Sequence, residues 1–92
     1  MPLLSENEIR EKIKELKGWE LKGKEISKLY NFKDFIDAVA FVNKVAILAE
    51  KANHHPDILI RYNKVTLSLS THSEGGITEK DINLAREIDK LS

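Results

Sequence analysis

The residues of this chain best suited to moving protons are its three histidines, His54, His55 and His72, all between positions 54 and 72. An imidazole titrates near neutrality and can both give and take a proton, which is what general acid/base catalysis requires. The chain has no cysteine, and Ser70 and Thr71, although adjacent to His72, stand in no sequence context that activates a hydroxyl, so no nucleophile is called for. Glu50 precedes His54 by one helical turn, and if a helix persists that far its carboxylate can orient the ring.

The three imidazoles need an element that brings them together. Asp57 to Arg61 and Val65 to Thr71 read as two strands, with Val65, Leu67 and Leu69 alternating against Thr66, Ser68 and Ser70. If Tyr62-Asn63-Lys64 is the connection, Arg61 faces Val65 and His54 falls opposite His72. A two-residue turn puts His55 there instead. Directly opposed residues have Cβ atoms about 4.5 to 5.5 Å apart, so either register predicts one small site at the end of the hairpin farthest from its turn. Pro56, which disfavours the helical region for His55, ends the preceding helix and limits how far the pairing extends.

The rest of the chain supplies the frame. Ser5 and Glu8 have the form of a capping box, and Ile9, Ile13 and Leu16 continue a helix from Ser5 to about Leu16, stopped by Gly18. Glu20 to Lys22, a turn at Gly23, and the alternating Ile26, Lys28, Tyr30 and Phe32 form a first hairpin. From Asp34 to about Asn53 there is neither Pro nor Gly. Phe35, Val39, Val42, Ala46 and Ala49 mark one helical face there, and Phe41, Val45 and Leu48 another. Such a wide stripe needs cover on two sides, from the sheet and from a neighbouring helix or subunit. Thr78 with Asp81, and Ile77 with Ile82, open a last helix running through Leu91. The order αββαββα predicts an α+β domain spanning residues 1–92, with a four-stranded antiparallel sheet covered on one face.

Composition excludes some classes of partner. Fifteen basic residues balance fifteen acidic ones, so the chain as a whole lacks the field that draws a protein to nucleic acid or anionic lipid. No stretch approaches the roughly 20 apolar residues of a membrane span, and the first residues lack a secretory pattern, so the expected location is cytoplasmic. A 92-residue domain without disulfides has a thin core, which favours burial against further copies of itself, as dimer or tetramer.

Each candidate residue also has a structural reading. A His-His pair at a helix end can be simply solvated, Asp81 can be only the capping partner of Thr78, and Trp19 is a natural core residue. Tyr62 suits a turn or sheet edge. Thr66, Ser68 and Ser70 suit a solvent-facing strand side, whose small residues also leave room for a flat ligand.

Several ordered blocks are more specific. Gly18-Trp19, Phe32-Lys33-Asp34-Phe35, Glu50-Lys51-Ala52-Asn53-His54-His55-Pro56, Tyr62-Asn63-Lys64-Val65, Leu69-Ser70-Thr71-His72 and Glu79-Lys80-Asp81-Ile82-Asn83-Leu84-Ala85 closely resemble the pterin-4a-carbinolamine dehydratase family. The resemblance implies a four-stranded antiparallel sheet with three helices on one face. It implies loss of water from a 4a-hydroxytetrahydropterin to give a quinonoid dihydropterin, a step of tetrahydrobiopterin recycling, with pterin as substrate and neither metal nor bound cofactor. It also implies His54 and His72 as the acid/base pair and His55 as the positioning residue. Asn53, His54 and His55 would contact substrate from one side and Ser70, Thr71, His72 and Ser73 from the other, with Glu50, Tyr62, Lys80 and Asp81 in support. Asn53, Ser73 and Lys80 stand where animal members commonly have aspartate, glutamate and arginine, which bears on substrate preference and pH optimum more than on reaction type.

Two rival readings differ in class. Animal members also serve as a dimerisation cofactor of a homeodomain transcription factor, a protein-binding role that no residue here points to. Glu50, His54, His55 and His72 have the residue types of a zinc site, but adjacent histidines in extended chain point to opposite faces and suit one ion poorly.

Overall fold

The computed structural model describes residues 2–91. Ser5 opens the first helix, α1 (Glu6–Ile13), through the predicted capping box: its Oγ accepts the Glu8 N–H at 3.1 Å, and Glu8 Oε1 accepts the Ser5 N–H at 2.9 Å. Two short strands follow, β1 (Glu20–Lys22) and β2 (Glu25–Asn31), and then the long helix α2 (Phe35–Ala52), capped by Asp34. The second hairpin is β3 (Asp57–Arg61) and β4 (Lys64–Leu69), after which a 3₁₀ turn (His72–Glu74) leads into α3 (Glu79–Asp89). The element order is the predicted αββαββα. Both outer helices stop a little short of the predicted ends.

The four strands form one sheet in the order β1-β2-β4-β3, with every neighbouring pair antiparallel. The chain therefore leaves β2, crosses through α2, and returns on the far side of β4. One face carries Ile26, Tyr30, Val65, Leu67 and Leu69, all buried, and these share a single core with Ile9, Ala38, Phe41, Val45, Ile82, Ala85 and Ile88 from the three helices. The other face leaves Leu29 and Leu59 exposed. The β4 alternation read from sequence is thus the one that builds the core, and truncating fully buried Leu67 to alanine should cost about 2–5 kcal/mol.

One expectation is corrected. The β3–β4 register pairs Arg61 with Lys64 across a two-residue turn, Tyr62–Asn63, with Tyr62 at positive φ (55°). Asn63 fixes this turn: its side-chain amide donates to Phe32 O at 2.9 Å, and its own carbonyl accepts the Phe32 N–H at 2.8 Å. Pairing stops at Asp57↔Ser68, beyond which Pro56 has no N–H to give. This turn lies one residue earlier than the expected two-residue turn and gives a third register, which if extended would put Asn53 opposite His72, so neither His54 nor His55 is set there by the ladder. On α2 the buried residues are Ala38, Phe41, Val45 and Ala49, with Val42 and Leu48 packed against the same core, and the helix rests on both the sheet and α3, as expected. Phe35, Ile36 and Ile47 remain exposed on the rest of its circumference.

Candidate active site

The site begins where α2 ends. Asn53 takes the left-handed conformation (φ 49°, ψ 43°), which asparagine tolerates better than most residues, and the His54 N–H reaches back to Ala49 O at 3.1 Å. This termination turns the chain off the helix axis at Asn53, so the helical relation between Glu50 and His54 is broken. Glu50 Oε2 lies 2.5 Å from His55 Nε2 instead, in an exposed pair. The expected Glu50–His54 contact is thereby replaced.

His54 turns inward. Its side chain is 11% exposed and its Nε2 lies 2.5 Å from Oδ1 of Asp81, a carboxylate with no exposed surface. Asp81 is held on its other oxygen, which accepts the Thr71 hydroxyl at 2.7 Å and the Thr78 N–H at 2.9 Å. Thr78 Oγ1 accepts the Lys80 N–H at 3.2 Å and sits 2.9 Å from Thr71 Oγ1. Because the one Thr71 proton goes to Asp81, Thr78 is the donor between the two hydroxyls. Asp81 is thus both the predicted capping residue of α3 and the partner of His54. Its position in the first helical turn suits a negative charge.

The chemical consequence is a fixed imidazole. With its other lone pairs committed, Asp81 accepts from the His54 Nε2–H, which leaves Nδ1 as the nitrogen that exchanges protons with a ligand. The His54 ring lines a cavity of about 380 Å³ between α2 and α3, with Leu48, Lys51, Ala52, Lys80, Asn83, Leu84 and Glu87. Its α3 residues recur at helical spacing, a signal present in the sequence and not used there. Lys51 and Leu48 were missed for the same reason.

The remaining candidates are placed as follows. His72 opens the 3₁₀ turn with an exposed side chain that has no hydrogen-bond partner among the described residues, and it lines a separate cavity with Ser70, Lys22, Lys24, Glu25 and Gly75. It stays close to His54 in connectivity, because the preceding residue, Thr71, binds the same carboxylate. Ser70 Oγ donates to Lys24 O at 2.8 Å, and Ser73 is exposed in the turn. Thr71 is buried and committed to Asp81, so its hydroxyl positions the carboxylate. Tyr62 sits at the far end of β3, roughly 17 Å of strand away from His55–Pro56, and lines a shallow pocket with Arg61, Asn63 and Lys64. The residues of the metal alternative are dispersed over an exposed pair, a buried pair and a lone imidazole. Among the described residues no three acidic or histidine side chains are grouped to hold an ion.

Comparison with known proteins shows the family and the fold. Residues 2–91 match the family described as pterin 4 alpha carbinolamine dehydratase. A protein of Sulfurisphaera tokodaii that carries a provisional pterin-4-alpha-carbinolamine dehydratase name is 53% identical over 91 residues, covering 99% of this chain and 98% of its own. A similarly named protein of Thermomicrobium roseum is 52% identical over 92 residues, covering 100% and 99%. A crystal structure of a transcriptional coactivator/pterin dehydratase from Brucella melitensis superposes with a TM-score of 0.90 at 41% identity over 96% of each chain. A pterin dehydratase-like protein described as a RuBisCO assembly factor of the alpha-carboxysome shares the fold, with a TM-score of 0.68 at 23% identity over 83% of this chain and 90% of its own.

Proposed function

We propose that this chain, which belongs to the pterin 4 alpha carbinolamine dehydratase family, removes water from a 4a-hydroxytetrahydropterin by histidine acid/base catalysis. In that reaction the 4a-hydroxyl takes a proton and leaves as water, the neighbouring ring nitrogen loses its proton, and the freed electron pair closes the C=N bond of the quinonoid dihydropterin. One proton is given and one is taken, so two groups of opposite protonation state suffice. His54 and His72 are those groups in this reading, and His55, steadied by Glu50, positions the substrate.

The observation that carries the proposal is the buried Asp81, whose oxygens are filled by Thr71, Thr78 and His54. Capping accounts for one oxygen of Asp81, and His54 takes the other while its ring also lines a cavity. An orienting carboxylate is what a proton-shuttling imidazole needs. Asn53, Ser70 and Ser73 complete the substrate's surroundings in this proposal, with Thr71, Lys80 and Asp81 in support. No metal and no bound cofactor take part, and the physiological role is pterin recycling in the cytoplasm. Self-association, as dimer or tetramer, belongs to the same reading and is supported by exposed Ile36 and Ile47 on α2.

The test is the dehydration rate of a 4a-hydroxytetrahydropterin followed by ultraviolet absorbance. Wild-type protein should accelerate it, and His54→Ala or His72→Ala should each reduce the acceleration about 100-fold or more. Wild type no faster than buffer would overturn the proposal.

A further inference from the structure

The cavity beside His54 holds charge that proton transfer does not use. Its floor is apolar, from Leu48, Ala52 and Leu84, and its polar groups are His54, Lys51, Lys80, Asn83 and Glu87. Glu87, its one acidic residue, is turned to an ion pair of its own, with Oε2 2.8 Å from Lys90 Nζ. Asn83 Oδ1 accepts from Arg86 Nη1 at 3.1 Å, which leaves the amide N–H groups of Asn83 as donors. Among the described residues neither the Lys51 nor the Lys80 ammonium has an ion-pair or hydrogen-bond partner. The balance of this groove is therefore two unpaired ammonium groups and an amide donor around an apolar floor.

From this we infer that the groove between α2 and α3 takes the side chain of the pterin substrate and selects one that ends in an anion, a phosphate ester being the best match. The inference rests on the dehydratase reading and adds the substrate class to it. A flat ring reacting at His54 directs its substituent along Leu48, Ala52 and Leu84, where the alkyl part loses contact with water. The terminal anion then meets Lys51 and Lys80 from opposite helices. Lysine recognises phosphate as a point charge and needs no bidentate geometry, so two flexible stems suffice. A side chain ending in hydroxyls leaves both ammonium groups solvated and draws no electrostatic advantage from them.

The experiment compares neopterin with neopterin phosphate, by quenching of pterin fluorescence on binding and by dehydration of the corresponding 4a-carbinolamines. Wild type should bind the phosphate ester about tenfold more tightly than the neutral pterin. The preference should fall to about twofold or less in the double variant Lys51→Gln/Lys80→Gln, and it should shrink at about 0.5 M salt. Lys14→Gln, on the exposed side of α1, should leave it unchanged, and circular dichroism of each variant establishes that it is folded. Equal affinity of wild type for both pterins overturns the inference and leaves the dehydratase reading standing if both are dehydrated. A preference that survives in the double variant overturns it too, by placing anion recognition elsewhere. Dehydration of neither substrate removes the reading and the inference together.

Discussion

Helix α3 carries a carboxylate at each end, and each draws together distant parts of the chain. At the N-terminal end Asp81 meets His54, Thr71 and Thr78. At the C-terminal end Asp89 Oδ1 accepts from Trp19 Nε1 at 3.0 Å, Lys28 Nζ at 3.0 Å and Tyr30 Oη at 2.7 Å. Both groups are well satisfied, yet only the first has the makings of a site. The Asp81 partner is an imidazole, which exchanges protons near neutral pH, and its ring lines a cavity. The Asp89 partners are an indole, an ammonium and a phenol, and none of them is an imidazole. Lys28 also lies 4.6 Å over the Tyr30 ring, closing the cluster from above. The helix dipole explains the difference in charge: it favours a carboxylate in the first turn, whereas in the last turn an ammonium is needed to offset the repulsion. Asp81 therefore serves chemistry as well as folding, and Asp89 is a brace that joins α3 to β2 and to Trp19.

Exchanging each aspartate for asparagine tests that division most directly. Asp81→Asn should lower the dehydration kcat about 100-fold, with KM changed only a few-fold, because the imidazole loses its orienting acceptor while the cavity keeps its lining. It should also flatten the pH–rate profile, a change that mere loosening of the fold does not produce. Asp89→Asn should leave kcat within about twofold and cost about 1–3 kcal/mol in urea unfolding, through weakened bonds to the buried Trp19 and Tyr30 and the partly buried Lys28. If both variants slow the reaction equally, the contrast between site and brace is lost.

Thr71→Val sharpens the comparison within the site itself. The substitution keeps the shape of the side chain and removes the proton that Asp81 Oδ2 accepts. If Thr71 acts through Asp81, kcat should fall about tenfold, and Thr71→Ser, which restores the hydroxyl, should recover most of it. A loss seen in KM alone would make Thr71 a substrate contact, as the family resemblance implies, and would move the site toward the His72 cavity.

How much of this was legible in sequence follows from the range of each interaction. The capping boxes at Ser5 and Thr78, the β4 alternation and the stop before Pro56 depend on residues a few positions apart, and each appears in the structure. Register was less legible. A turn of two or three residues fits the same stretch, and the choice was made by Asn63 binding Phe32, a contact across 31 residues. His54 with Asp81 spans 27 residues and was hidden because capping already accounted for Asp81. Asp89 was hidden more deeply, since its partners lie 59 to 70 residues away and Trp19 reads as plain core. On α2 the sequence has more apolar residues than one face can bury, so periodicity alone could not single out Ala38, Phe41, Val45 and Ala49.

The smallest expected effect lies in the brace and depends on pH. Burial first, and then the hydrogen bond and charge of Asp89, push the Tyr30 hydroxyl well above its ordinary value of 10.0. Folding thus favours the protonated phenol, and the stability this contributes is complete below about pH 10. Above that the unfolded chain gives up the tyrosine proton while the folded one keeps it, so wild type should lose about 1 kcal/mol per pH unit from this group. Tyr30→Phe removes both the hydrogen bond and the titration. At pH 7 it should cost about 1 kcal/mol, since Trp19 and Lys28 still serve Asp89. The gap should close near pH 11, where wild type has lost its advantage. Urea midpoints measured from pH 7 to 11 would show the two curves converging. Parallel curves would mean that Tyr30 ionises as easily in the folded protein as in the unfolded one, and the C-terminal cluster would then be a wetter place than the Asp81 site it has been set against.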